Sequence, residues 1–129
     1  MSFEQASWPH EFTEAQVTEW KKVYGSIWTV KVGGKEYVYR GLTNTEFEKL
    51  RDEERKFISD LEQKGLTQEA ISQATITNSM RAVVLTTLLY PGDYGEKLST
   101  DLAGVLEVLQ PAILEASGFP TEPPVPQEL

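Results

Sequence analysis

The chain has 129 residues, enough for one domain with its own core, and its 40% hydrophobic and 25% charged residues are ordinary globular composition. Twenty acidic residues against 12 basic ones give a net charge of −8, and the bases are scattered, so no basic face is offered to nucleic acid or to an anionic membrane. The absence of cysteine excludes a disulfide framework and thiol chemistry, and no apolar run is long enough to span a bilayer.

Residues 1–12 carry no basic region followed by an apolar run, so no signal peptide is expected, and they read as a loose N-terminal arm. A single domain should then occupy residues 13–119. Thr13 with Gln16 forms a capping box for a short helix that Gly25 ends. The runs SIWTVKV and KEYVYR flank Gly33-Gly34, a strong signal for a β-hairpin with a two-residue turn. Its register would set Val32 opposite Lys35, Val30 opposite Tyr37 and Trp28 opposite Tyr39. One face would be aromatic and apolar. The other would carry Thr29, Val38 and a cross-strand Lys31–Glu36 ion pair.

Thr43 and Glu46 form a second capping box, and Phe47, Leu50, Phe57, Ile58 and Leu61 share one stripe of the helix that follows. Gly65 ends it. Thr67 caps the next helix, in which the β-branched stretch Thr75–Thr77 marks a place for a bend or break. From Met80 to Leu89 the pattern is apolar almost all round, as in a helix at the centre of a fold, until Pro91-Gly92 stop it. The last helical region starts near Ser99 or Thr100 and closes at Gly118, with Phe119 as the hydrophobic contact of its end. Pro111 should kink or split it. The core is expected on Met80, Val83, Val84, Leu88, Leu102, Val105, Leu106, Leu109 and Ile113. Residues 120–129, proline-rich and acidic, read as an extended, loosely held tail. The fold class predicted is mainly α with one small β-hairpin near the N-terminus.

Catalytic chemistry finds no foothold in the sequence. The one histidine, His10, lies in the presumed arm and reads as solvent-facing. With no cysteine and a single histidine, nitrogen- and sulfur-rich metal sites are ruled out. No serine has a G-x-S-x-G context, and Gly33-Gly34 precedes a strand where a phosphate loop would precede a helix. The acids around Asp52 to Glu54 interleave with Arg51, Arg55 and Lys56, the pattern of a solvated helix face. No enzyme activity, metal or cofactor is expected. What remains is binding to another protein.

The order of features resembles the tail assembly chaperones and related baseplate assembly proteins of tailed bacteriophages. The matching residues are Tyr37, Tyr39, Arg40, Leu42, Thr43, Glu46 and Phe47, then Leu89, Tyr90 and Pro91, then Ala103, Gly104 and Val105, and finally Ser117, Gly118 and Phe119. The resemblance spans about residues 26–119. It implies a cytoplasmic, non-enzymatic factor that keeps a long amphipathic tape-measure protein soluble until the tail tube forms around it. The partner-binding residues on this reading are Trp28, Tyr37, Tyr39, Arg40, Leu42, Tyr90 and Phe119. The competing class is a structural baseplate, tail-tip or connector subunit retained in the virion tail. An acidic regulatory protein is a third, disfavoured because the acids are interleaved with bases. The oligomeric state stays open, a homo-oligomer included.

Overall fold

Threonine sets the helix starts. In the computed structural model, which describes residues 8–101 and 103–119, Thr13, Thr43 and Thr67 each accept a hydrogen bond from the backbone N–H three residues on. Gln16 and Glu46 return the bond to the cap backbone, completing two capping boxes. The helices are α1 (Glu14–Tyr24), α2 (Asn44–Gln63), α3 (Gln68–Thr87), the short α4 (Tyr94–Lys97) and α5 (Gly104–Ala116). Gly25, Gly65 and Gly118 take positive φ at three helix ends, where a side chain would be strained. At the last of these the Phe119 amide bonds back to the Leu114 carbonyl at 3.0 Å, and the Phe119 ring rests on Phe47 of α2 with centroids 4.9 Å apart.

The hairpin forms in the register the sequence predicts. β1 (Trp28–Val32) pairs antiparallel with β2 (Lys35–Tyr39), setting Trp28 opposite Tyr39, Val30 opposite Tyr37 and Val32 opposite Lys35. The sheet has a third strand, β3 (Leu88–Tyr90), which pairs antiparallel with the other side of β2. The sequence reads Leu88 and Leu89 as helix. The helix instead stops at Thr87, because Leu88 turns extended (ψ 126°) and its segment gains ladder bonds from β2.

Two expected breaks are absent. α3 runs unbroken through Thr75–Thr77, whose hydroxyls bond back to the Ile71 and Gln73 carbonyls at 2.7 and 3.2 Å and so stay within the helix. α5 runs through Pro111 as a single helix, and it starts at Gly104, later than predicted. Pro111 and Glu107, four residues earlier, are both exposed, so the backbone bond that proline cannot make is lost on the wet side.

The core lies between one face of the sheet and helices α3 and α5. It comprises Tyr37, Tyr39, Leu42, Val83, Val84, Tyr94, Val105, Leu109 and Ile113, with Leu88 and Leu106 packed at its margin. Five of the nine expected core residues are therefore fully buried; Met80 is half-buried and Leu102 lies outside the described residues. The two apolar helices supply the depth of the core. The hairpin aromatics close its top.

The segment Arg40–Leu42, between β2 and α2, crosses the end of α5 at close range. A Cβ on Gly41 would sit 2.6 Å from the Ala116 carbonyl oxygen, so no larger residue fits without backbone movement. Beside it the Leu42 amide donates to Ser117 Oγ at 2.7 Å, and that hydroxyl donates to the Ile113 carbonyl at 2.6 Å. Gly41→Ala should therefore cost about 1–3 kcal/mol through overpacking, read as a lowered urea midpoint at unchanged slope. Leu109→Ala, at a site with no solvent exposure, should cost about 2–5 kcal/mol, and Leu106→Ala at the core margin distinctly less.

Candidate functional site

β2 is covered on both faces. Its core face carries Tyr37 and Tyr39. Its other face carries Glu36 and Val38, and both are buried. What covers them is the second half of the segment read as a loose arm. Residues 8–12 lie across the sheet as a strap, and Phe12 is buried against Trp20 of α1 and Tyr90 of β3, with ring centroids 5.8 and 5.5 Å away. Trp8 Nε1 donates to the Phe12 carbonyl at 2.7 Å, and the His10 ring stacks on Phe12 at 4.8 Å. Residues 1–7 of the expected arm and the tail 120–129 lie outside the described residues.

The strap is fastened by a charge. His10 Nδ1 lies 2.7 Å from Glu36 Oε2, and the Glu11 amide donates to Glu36 Oε1 at 3.0 Å. Lys31, although opposite in register, forms no ion pair with Glu36; the side chain bonded to Glu36 is His10. Burial pushes the Glu36 carboxyl up, but the hydrogen bonds from His10 and Glu11, with the charges of His10 and Lys31, outweigh it and leave the group below its usual range. His10 is thus no solvent-facing terminal residue.

On the same side, a cavity of about 400 Å³ is lined by Tyr37, Tyr90 and Tyr94, with Pro91, Asp101, Lys35 and Lys97 among its other walls. Tyr37 donates to Asp101 Oδ2 at 2.7 Å. Burial first, and then the Asp101 carboxylate, push both the Tyr37 and the Tyr94 phenol above the ordinary tyrosine value. Both remain protonated hydrogen-bond donors near neutral pH. Among the described residues no cluster of three or more His, Cys, Asp or Glu is placed to hold a metal ion, and no helix is long and apolar enough to cross a membrane.

The seven partner-binding residues named from the sequence divide sharply. Tyr37, Tyr39 and Leu42 are core residues. Arg40 is nearly buried and occupied. Its guanidinium grips Glu46 through two bonds of 2.7 Å, donates to the Thr86 and Gly41 carbonyls at 3.0 and 3.1 Å, and lies 4.8 Å from the centroid of the Tyr24 ring. Tyr90 is half-buried against the strap. Only Trp28 and Phe119 keep substantial exposure, 40% each, and Trp28 is stacked on Tyr39 at 6.2 Å. Most of the named set therefore holds the fold together, because strand alternation and a tight crossing turn these side chains inward. His10, Phe12 and Glu36 are the residues the sequence reading missed. The alternation Trp8, His10, Phe12 was the one available signal, an extended segment with one aromatic face.

No protein family, curated protein or solved structure matches the chain.

The Arg40–Glu46 pair makes stability pH-dependent. Hydrogen bonds from Arg40 hold the Glu46 carboxyl at about 2, down from an ordinary 4.5. Its folded-state value lies below its unfolded one, so its contribution is complete above about pH 4.5 and is lost as pH falls toward about 2. Glu46→Gln should lower stability near neutral pH and flatten the loss between these limits, measured by denaturant titration at each pH.

Proposed function

We propose that the chain is a non-enzymatic assembly factor of a bacteriophage tail, a chaperone that binds an amphipathic helical client, the tape-measure protein, in the host cytoplasm. The observation that carries this reading is a set of large apolar side chains left uncovered by the core. Trp28 on β1, Ile76 and Leu85 on α3, Val108 on α5 and Phe119 beyond it are 40–57% exposed. Apolar side chains of this size on a surface are available for contact with another protein. The acidic exterior suits the same role, since it keeps a complex with an aggregation-prone client in solution. The order of motifs shared with tail assembly chaperones supplies the client's identity.

Contact of this kind is apolar, so raising salt from about 0.1 M to about 0.5 M should weaken binding less than about threefold. Co-expression should raise the soluble yield of the tape-measure protein, and the two should co-elute. Val108→Glu should remove that effect while leaving the circular dichroism spectrum unchanged. Retention of the protein in finished particles at fixed stoichiometry, seen by mass spectrometry, would make it a structural subunit instead. Failure to bind any tail component would end the reading altogether.

A further inference from the structure

The N-terminal unit, strap and α1 together, is attached differently from the rest of the molecule. α1 contains no buried residue and, unlike α2, which has none either but packs along α3, it makes little contact with any other helix or strand. Trp20 packs on Phe12 within the unit, and α1 reaches the body through Tyr24 against Arg40. Between it and the sheet lies a cavity of about 180 Å³, with Val17 and Lys21 on the helix side and Ile27, Thr29 and Val38 on the sheet side. The strap is tighter: among the described residues it is held by the Phe12 ring, by the bonds of His10 and Glu11 to the Glu36 carboxylate, and by the Tyr90 hydroxyl, which donates to Glu11 Oε2 at 3.4 Å. Gly25, at φ 78°, is the joint between α1 and β1.

We propose that residues 8–24 are a displaceable internal occupant, and that the sheet face beneath them is the docking site for an amphipathic helical segment of a partner protein. The occupant on the page defines the chemistry of that partner. It must bring an aromatic ring for the place Phe12 fills beside Tyr90. It must also bring a cationic or N–H donor for Glu36, because removing His10 and the Glu11 amide leaves a buried carboxylate with neither of its bonds. Val38, Ile27 and Thr29 receive the apolar stripe of the incoming helix. Exchange of one amphipathic segment for another conserves the burial of this face and the pairing of its charge, so the barrier is the loss of the strap rather than the exposure of the core. Glu36, Lys31 and Glu11 are the charged groups around the His10 position, and the pair at its centre gives the face its selectivity for a basic segment.

The inference rests on the client-binding reading above for the existence of a partner, but its test contains no phage component, so the two can fail separately. The probe is a fluorescein-labelled synthetic peptide of residues 8–24, titrated into the full-length protein. The double variant His10→Ala/Phe12→Ala, whose own strap is weakened, should bind the peptide at least tenfold tighter than the wild type. Adding Glu36→Gln to that variant, or removing the histidine from the peptide, should cost at least tenfold. Hydrogen exchange checks the fold of the variant and also probes the wild type directly. Amides of α1 should exchange at least a hundredfold faster than those of α5 in the wild type, while those of α5 stay protected in the variant. Equal peptide binding to wild type and variant, or none to either, would overturn the proposal. So would wild-type α1 exchanging as slowly as α5. A stable wild-type dimer in light scattering, dissociated by excess peptide, would give the face to a second copy of this chain and overturn the assignment to a foreign partner.

Discussion

Three residues at the crossing from β2 to α2 hold the fold's parts in register. Arg40 closes a bidentate pair with Glu46, and Glu46 in turn accepts from the Thr43 amide at 3.0 Å, so a single carboxylate serves both the guanidinium and the helix cap. The other side of Arg40 reaches the last turn of α3, through its side chain to the Thr86 carbonyl and through its amide to the Thr87 carbonyl at 3.2 Å. Those are carbonyls a helix end leaves without intrahelical partners. Gly41 and Leu42 then bind the end of α5 by close approach and by the Ser117 hydroxyl. Strand, both long helices and the last helix are thereby fixed relative to one another within three residues. Charge-assisted, bidentate geometry in a mostly buried setting explains why so short a segment can do this.

The sheet inherits its position from that crossing, and its two faces then serve different ends. The face of Tyr37 and Tyr39 is sealed by α3 and α5 and belongs to the core. The face of Glu36 and Val38 is sealed by the strap, through the Phe12 ring, the bonds of His10 and Glu11 to Glu36, and the bond of Tyr90 to Glu11. Burying a carboxylate costs several kcal/mol unless it is paired, and here pairing requires a segment 25 residues away in sequence to stay docked. An apolar residue at position 36 would have held the strap without that condition. A charged one makes closure depend on a specific donor group.

What the sequence made legible was local. Threonine caps, the Gly-Gly turn and glycine helix ends each act within four residues, and each is found where the chain pattern places it. The two long apolar helices were legible from periodicity alone, with their inward residues Val84, Val105, Leu109 and Ile113. What was not legible was pairing at a distance. Leu88-Leu89 carries the composition of the helix before it, and only the free edge of β2 makes it a strand. His10 and Glu36 are 26 residues apart, with no spacing rule to join them. Thr75–Thr77 and Pro111 were weighed by propensity, whereas tertiary packing and a solvent-facing gap in the hydrogen bonding decided the matter.

The candidate site shows the same division with a sharper consequence. Tyr37, Tyr39, Arg40, Leu42, Thr43 and Glu46 form one run of sequence, and in this fold every one of them either fills the core or closes the crossing. A run of residues occupied in this way specifies how strand, helix cap and terminal helix meet; it leaves no side chain over for a partner. Side chains the core does not claim lie elsewhere. Two groups qualify: the exposed apolar residues of β1, α3 and α5, and the Glu36 face under its strap. The first group offers apolar contact, which is indifferent to the order of residues it meets. The second offers a buried carboxylate, which only a segment bringing a hydrogen-bond donor can satisfy.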